Sequence, residues 1–199
     1  MKGHLKKYWF WPVIAAFIVI AALLLIRPAK ETGTPTLTVE SPQKLSAVQT
    51  EEFTLDVTID RLGDTLYPAM SMSISFDASR LEFLGVEEGN LFILDDENSS
   101  GQQLPQWSCN VENSNATGMI NIMYLDMTGG KHAFSNTLMS ESYNVVLRLS
   151  FRLRGSVRPG EVLDLIVEDA VFAASDESQS LATTTGTLKT KHGKLVIGE

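Results

Sequence analysis

Met70-Ser71-Met72-Ser73-Ile74-Ser75-Phe76 alternates an apolar side chain with a serine at every step. Successive side chains of a strand point to opposite faces, so this stretch reads as a strand with one buried face and one lined by hydroxyls. The same period of two extends outward in both directions. Before it, Phe53, Leu55, Val57 and Ile59 alternate with Thr54, Asp56, Thr58 and Asp60. After it come residues 81–86, 119–125, 145–153, 162–167 and 195–197. In the longest of these, Val145, Leu147, Leu149, Phe151 and Leu153 alternate with Val146, Arg148, Ser150 and Arg152. Turn-forming clusters separate the runs at 61–64, 87–90, 97–101, 113–118 and 158–160. Many short strands punctuated in this way argue for an all-β sandwich. Residues 128–142 are the least strand-like stretch, expected to be a long loop or a short helix. No internal repeat is visible.

The first 30 residues follow another pattern. Residues 9–26 carry no charge, and a helix of that length covers about 27 Å, close to the hydrocarbon thickness of a bilayer. Tyr8, Trp9 and Trp11 stand at its start, where amphipathic rings favour the membrane interface. Lys2, Lys6 and Lys7 precede it and should stay cytoplasmic. A cleaved signal peptide would have a shorter apolar region ending in a small-x-small site. Leu24-Leu25-Ile26-Arg27-Pro28-Ala29-Lys30 does not fit that pattern, so the reading is a retained anchor. The expected organisation is a basic cytoplasmic segment (1–8), a transmembrane helix (9–26), a linker (27–35) and an extracellular sandwich (36–199).

Charge is as uneven as hydropathy. Residues 31–199 hold 11 Lys and Arg against 24 Asp and Glu, a net charge of −13. Such a domain repels phosphate backbones, which argues against a nucleic-acid partner, and it steers basic or calcium-loaded partners. Cys109 is the only cysteine, so no intrachain disulfide exists, and it reads as a small strand residue in Trp107-Ser108-Cys109-Asn110-Val111.

The sequence carries no recognisable catalytic or metal-binding pattern. The acid pairs at 51–52, 87–88, 168–169 and 176–177, and the run 95–97, read as solvated turn residues, without the separation across a cleft that paired catalytic carboxyls need. Asp95, Asp96, Glu97 and Asn98 could bind calcium weakly, yet EF-hand spacing is absent. His4, His132 and His192 lack metal-ligand spacing. No nucleophile elbow and no phosphate-cradling glycine loop appear. The expectation is a binding protein, with no catalytic residue, metal or cofactor.

The order of the segments resembles the cohesin domain. Ile74-Ser75-Phe76-Asp77-Ala78-Ser79-Arg80-Leu81-Glu82-Phe83 is similar to the family's aromatic-Asp-Pro strand end and the Leu-Glu-apolar strand after it, with Ala78 in place of proline. Val86-Glu87-Glu88-Gly89-Asn90-Leu91-Phe92 resembles the following turn. Residues 118–126 look like the central Gly-x-Ile…Asp strand, 147–153 the late strand, and 193–197 the closing one. The resemblance covers about residues 36–197. It implies a nine-stranded jelly-roll sandwich and a partner bearing a dockerin module, docked on one sheet face, with calcium carried by the dockerin. Ser71, Ser73 and Ser75 would line that face, and several cohesins place Asn or Asp near the position of Ser71. Asn121, Met123 and Leu125 lie on the alternate side of 118–126; facing out, they would supply an apolar interface centre, and facing in, they would cover a second small core. The function implied is a cell-surface anchoring receptor. Two alternatives are a carbohydrate-binding or adhesion module, with Trp107 and Tyr143 as the main rings for stacking on a polysaccharide, and an envelope subunit pairing through a strand edge.

Overall fold

A computed structural model describes residues 33–42, 44–47, 51–89, 106–135, 144–155 and 157–199. The expected segment 1–8 and helix 9–26 lie outside these residues, as do Tyr143 and the acids at 95–97. Among the described residues no helix is long and apolar enough to cross a membrane.

Alternation is what makes the sandwich. In β1 (Thr36–Val39), β3 (Phe53–Asp60), β8 (Val145–Leu153) and β5 (Leu81–Glu88), one side of each strand is buried. With β11 (Lys189–Lys191) they form a five-stranded sheet ordered β11-β1-β3-β8-β5. The second sheet has seven strands. Its order is β2 (Leu45–Ser46), β12 (Gly193–Gly198), β9 (Val162–Ala173), β4 (Ala69–Ser75), β7 (Met119–Leu125) and β6 (Gln106–Cys109). The two-residue β10 (Leu181–Ala182) pairs with the end of β9. The described residues thus hold twelve strand segments against the nine expected. The excess is three pieces of two or three residues, each added to the edge of a longer strand: β2, β10 and β11.

Leu55, Val57, Leu147, Leu149 and Phe151 of one sheet face Met70, Met72, Ile74, Ile120, Ile122 and Leu165 of the other, all at most 2% exposed. An aromatic cluster ties the sheets together at one end. Phe151 lies 5.4 Å from Phe83 and 5.6 Å from Phe76, which follows β4. At the other end Tyr124 packs 4.8 Å from Phe134, and Phe134 packs 5.3 Å from Phe172. Edge-to-face pairs of this kind add about 0.5–1.5 kcal/mol each beyond area burial.

Two local readings are corrected. The 113–118 cluster is not a turn but most of a helix, α1 (Val111–Thr117), so β6 stops at Cys109. Asn110 caps the helix by accepting the Asn113 N–H, and Gly118 ends it with φ 71°. A Cβ at Gly118 would stand 2.8 Å from the Phe76 carbonyl oxygen, so neither the dihedral nor the space admits a side chain. Asn115 holds the helix on β5: its carboxamide accepts the Phe83 N–H and donates to the Phe83 carbonyl. The residues Glu87 and Glu88, read as turn, instead finish β5. Between β4 and β5, Asp77 organises the turn by accepting the Ser79 hydroxyl and N–H. These bonds, the hydroxyl's first, hold its carboxyl below the ordinary carboxylate range.

Candidate functional site

The serine strand decides where a partner could sit. In β4 the even positions Met70, Met72 and Ile74 are buried, so Ser71, Ser73 and Ser75 form a low row on the outside of the seven-stranded sheet. On β7 the register sets Met123 opposite Ser71, Asn121 opposite Ser73 and Met119 opposite Ser75, with Leu125 opposite Ala69. Asn121, Met123 and Leu125 therefore share the serine face, and they are exposed. Met123 is 59% and Leu125 45% exposed, so the possibility that they cover a second small core is ruled out. All six expected site residues lie on one face.

A turn extends this face. Asp126 is buried, and its carboxylate accepts the N–H of Thr128 (2.7 Å) and of Gly130 (2.8 Å) as well as the Thr128 hydroxyl. The turn so closed leaves Met127, two residues after Leu125, 52% exposed. Behind it the Tyr124 hydroxyl donates to the His132 carbonyl at 2.7 Å. Burial, then the nearby charges of Asp126 and Glu88, push that phenol well above its ordinary value.

Two site residues escaped the sequence reading. Glu168 and Asp169, expected to be turn acids pointing apart, both lie within β9. Ser73 pairs with Asp169 and Ile74 with Val167, so Glu168 is an extra residue, and both acids sit beside the serine row. The bulge lies where β9 lacks a strand on its far edge, between β12 and β10. Side chains take over its N–H groups there: His192 Nδ1 accepts from Val167 (3.1 Å), and the Thr183 hydroxyl oxygen accepts from Ala170 (3.2 Å). His132 and His192 thus serve turns and backbone. Among the described residues no group of three or more His, Cys, Asp or Glu could hold a metal.

The face is internally bonded. Ser73 Oγ donates to Asn121 Oδ1 at 2.8 Å, Ser75 Oγ to Glu168 Oε1 at 2.7 Å, and Thr183 Oγ1 to Asp169 Oδ1 at 2.6 Å. Trp107, expected as a ring for sugar stacking, is in register with buried Tyr124 and packs 4.7 Å from it. It therefore faces the core side and gives a polysaccharide no platform. Cys109, on the same strand, packs against the core, and burial raises its thiol pKa despite a bond to Ser114.

Solved structures share this architecture. The third ScaC cohesin of Acetivibrio cellulolyticus, in complex with the ScaB dockerin, matches with a TM-score of 0.57 at 11% identity, over 83% of this chain and 99% of that one. The OlpA cohesin in a type I cohesin–dockerin complex from Clostridium thermocellum matches with a TM-score of 0.58 at 18% identity, over 83% and 99%. A non-cellulosomal cohesin from the archaeon Archaeoglobus fulgidus matches with a TM-score of 0.51 at 15% identity, over 84% and 93%. At these identities the likeness establishes the fold alone. No curated protein matches the chain. The sequence model of the cohesin domain matches residues 37–190, nearly the whole sandwich. The chain belongs to the cohesin domain family.

Proposed function

We propose that this chain is a receptor that binds a dockerin module on the outer face of β6, β7, β4 and β9, and that residues 9–26 hold it in the membrane with the sandwich outside the cell. The observation that carries the reading is the exposed Met123–Leu125 row beside a low serine row. Flat, partly apolar sheet faces suit a macromolecular partner, and interfaces draw most of their energy from a few central apolar or aromatic anchors. Family membership supports the partner class, since neighbouring folds were solved bound to dockerins. The role is adhesion between proteins, not catalysis.

The test uses the full chain, solubilised from membranes and immobilised, against calcium-loaded dockerin modules with and without chelator. Retention of a dockerin that is lost on chelation supports the reading. If a polysaccharide is retained and no dockerin is, the docking role is wrong. The anchor is tested separately, by fractionating cells that produce the chain and treating them with an external protease. Recovery in the membrane fraction with the sandwich digested from outside supports it, and recovery in the medium would refute it.

A further inference from the structure

We propose that Met123 is a site of reversible oxidation. Its thioether takes one oxygen atom from a peroxide, and the hydroxyls of Ser71 and Ser108 receive the sulfoxide so formed.

Strand register builds the site. β7 lies between β4 and β6, with Met123 opposite Ser71 on one side and opposite Ser108 on the other. Directly opposed residues have their Cβ atoms about 4.5–5.5 Å apart, so both hydroxyls are neighbours of the Met123 side chain. Serine is short and methionine is long. The thioether therefore stands above both flanks, which is why Met123 is 59% exposed although its strand is paired on both edges.

Hydrogen-bond accounting sets these two serines apart from the others on this face. A serine hydroxyl has one hydrogen to donate. Ser73 gives its hydrogen to Asn121, and Ser75 gives its own to Glu168. Among the described residues, the Ser71 and Ser108 hydroxyls have no such acceptor. A thioether sulfur accepts hydrogen bonds only weakly, whereas a sulfoxide is polar and its oxygen accepts well. Two unspent donors beside one sulfur thus favour the oxidised side chain. The same donors face the negative charge that develops on the peroxide oxygens as their bond breaks, so they act on the rate as well.

The other described methionines provide the comparison within one molecule. Met70 and Met72 are 2% exposed and belong to the core. Met119 is opposite Ser75, whose hydrogen is already spent. Met127 is 52% exposed, but the hydroxyl next to it in the chain, on Thr128, donates to Asp126. Of these five, Met123 alone combines exposure with unspent donors.

With hydrogen peroxide the step balances. The sulfur lone pair attacks one peroxide oxygen, the S–O bond forms as the O–O bond breaks, and the second oxygen leaves as water. Methionine is oxidised by two electrons and the peroxide is reduced by two. A methionine sulfoxide reductase, drawing on two thiols, returns the thioether and releases water. Oxidation makes the apolar centre of this face polar. That consequence for a partner rests on the docking reading; the modification itself does not.

The experiment exposes the full chain to hydrogen peroxide at neutral pH and follows each methionine by peptide mass spectrometry. Met123 should oxidise about three- to tenfold faster than Met127, the worth of a hydrogen bond, with Met70 and Met72 slower than both. In Ser71→Ala/Ser108→Ala the Met123 rate should fall to that of Met127, with the Met127 rate unchanged. Equal rates for Met123 and Met127 in the wild-type chain, or a Met123 rate that the double variant leaves unaltered, would overturn the proposal. Retention of calcium-loaded dockerin modules is measured on the same samples. The expected result is a loss of about tenfold on oxidation, regained after reductase treatment. Unchanged affinity at complete Met123 oxidation would overturn the consequence for binding. If the untreated chain retains no dockerin, the docking reading falls, and the rates alone decide whether Met123 is the oxidation site.

Discussion

On the outer face of the five-stranded sheet, acids and arginines answer one another. Arg148 lies 3.0 Å from Asp56, Arg152 lies 2.7 Å from Glu52 and 3.4 Å from Glu82, and Ser150 donates to Glu87. Among the described residues no large apolar side chain is exposed on that sheet. The outer face of the seven-stranded sheet has the opposite character. It exposes Met123, Leu125, Val162, Ile166 and Val196, and among the described residues its two central acids have hydroxyl partners only. Both sheets follow the same alternation, and both bury the same kind of residue. The outward positions carry the difference: one set satisfies itself and meets water, while the other is left for something else to complete. A surface that neutralises its own charges gains little from a partner, because an ion pair already formed must be broken before it can be exchanged.

The largest expected effect removes the scaffold under both faces. Phe151→Ala, which deletes the ring linking the sheets, should destabilise the sandwich by about 3–5 kcal/mol, read by chemical denaturation. Next, Met123→Asp should weaken dockerin binding by about 100-fold or more while leaving the melting temperature unchanged, as expected for an interface anchor outside the core. A parallel fall in melting temperature would mean that the face is structural after all. Third, Arg152→Ala on the opposite face should cost less than about 1 kcal/mol of stability, shrink further in high salt, and leave binding untouched. If it weakens binding as Met123→Asp does, the division between the faces is wrong. The smallest effect concerns acid. The folded-state carboxyl of Asp77 titrates below its ordinary value of 3.8, so the stability it contributes is complete above that pH and is lost as pH falls through the lower folded value. Ser79→Ala should remove part of that contribution, lowering the melting temperature slightly at pH 7 and leaving it unchanged below the folded value, so that melting at stepped pH shows a smaller acid-range loss.

The regular strands were legible because their inward apolar positions recur with period two. β7 and β8 begin and end where the alternation of 119–125 and 145–153 does. α1 was not, since Val-Glu-Asn-Ser-Asn-Ala-Thr has no apolar stripe; only the cap residues Asn110 and Gly118 mark it. β9 was read to 167, where the alternation fails, but it runs to Ala173. A signal was present there: buried positions fall at 163, 165 and 167, then at 170 and 172, a single step of three. That step is the bulge, and missing it also hid Glu168 and Asp169. Strand parity put Ser71, Ser73 and Ser75 on one side of β4 and Asn121, Met123 and Leu125 on one side of β7, but which side of β7 faces out was settled only by burial. The pairing of Ser75 with Glu168, 93 residues apart, depends on strand order and could not be seen in the pattern.

The bulge also separates what this protein can vary from what it must keep. Residue 168 restores the parity of β9, so its deletion would turn Ala170 and Phe172 outward and Val171 and Ala173 inward. The chain length at this point is therefore fixed by the core. The identity of the side chain is not, because Glu168 is exposed and its one bond to a side chain among the described residues is to the surface hydroxyl of Ser75. A lineage could exchange glutamate for glutamine, lysine or serine at this one position and redirect partner choice without disturbing the fold. The proposed docking would thus draw selectivity from a residue whose presence is compulsory and whose chemistry is free to change.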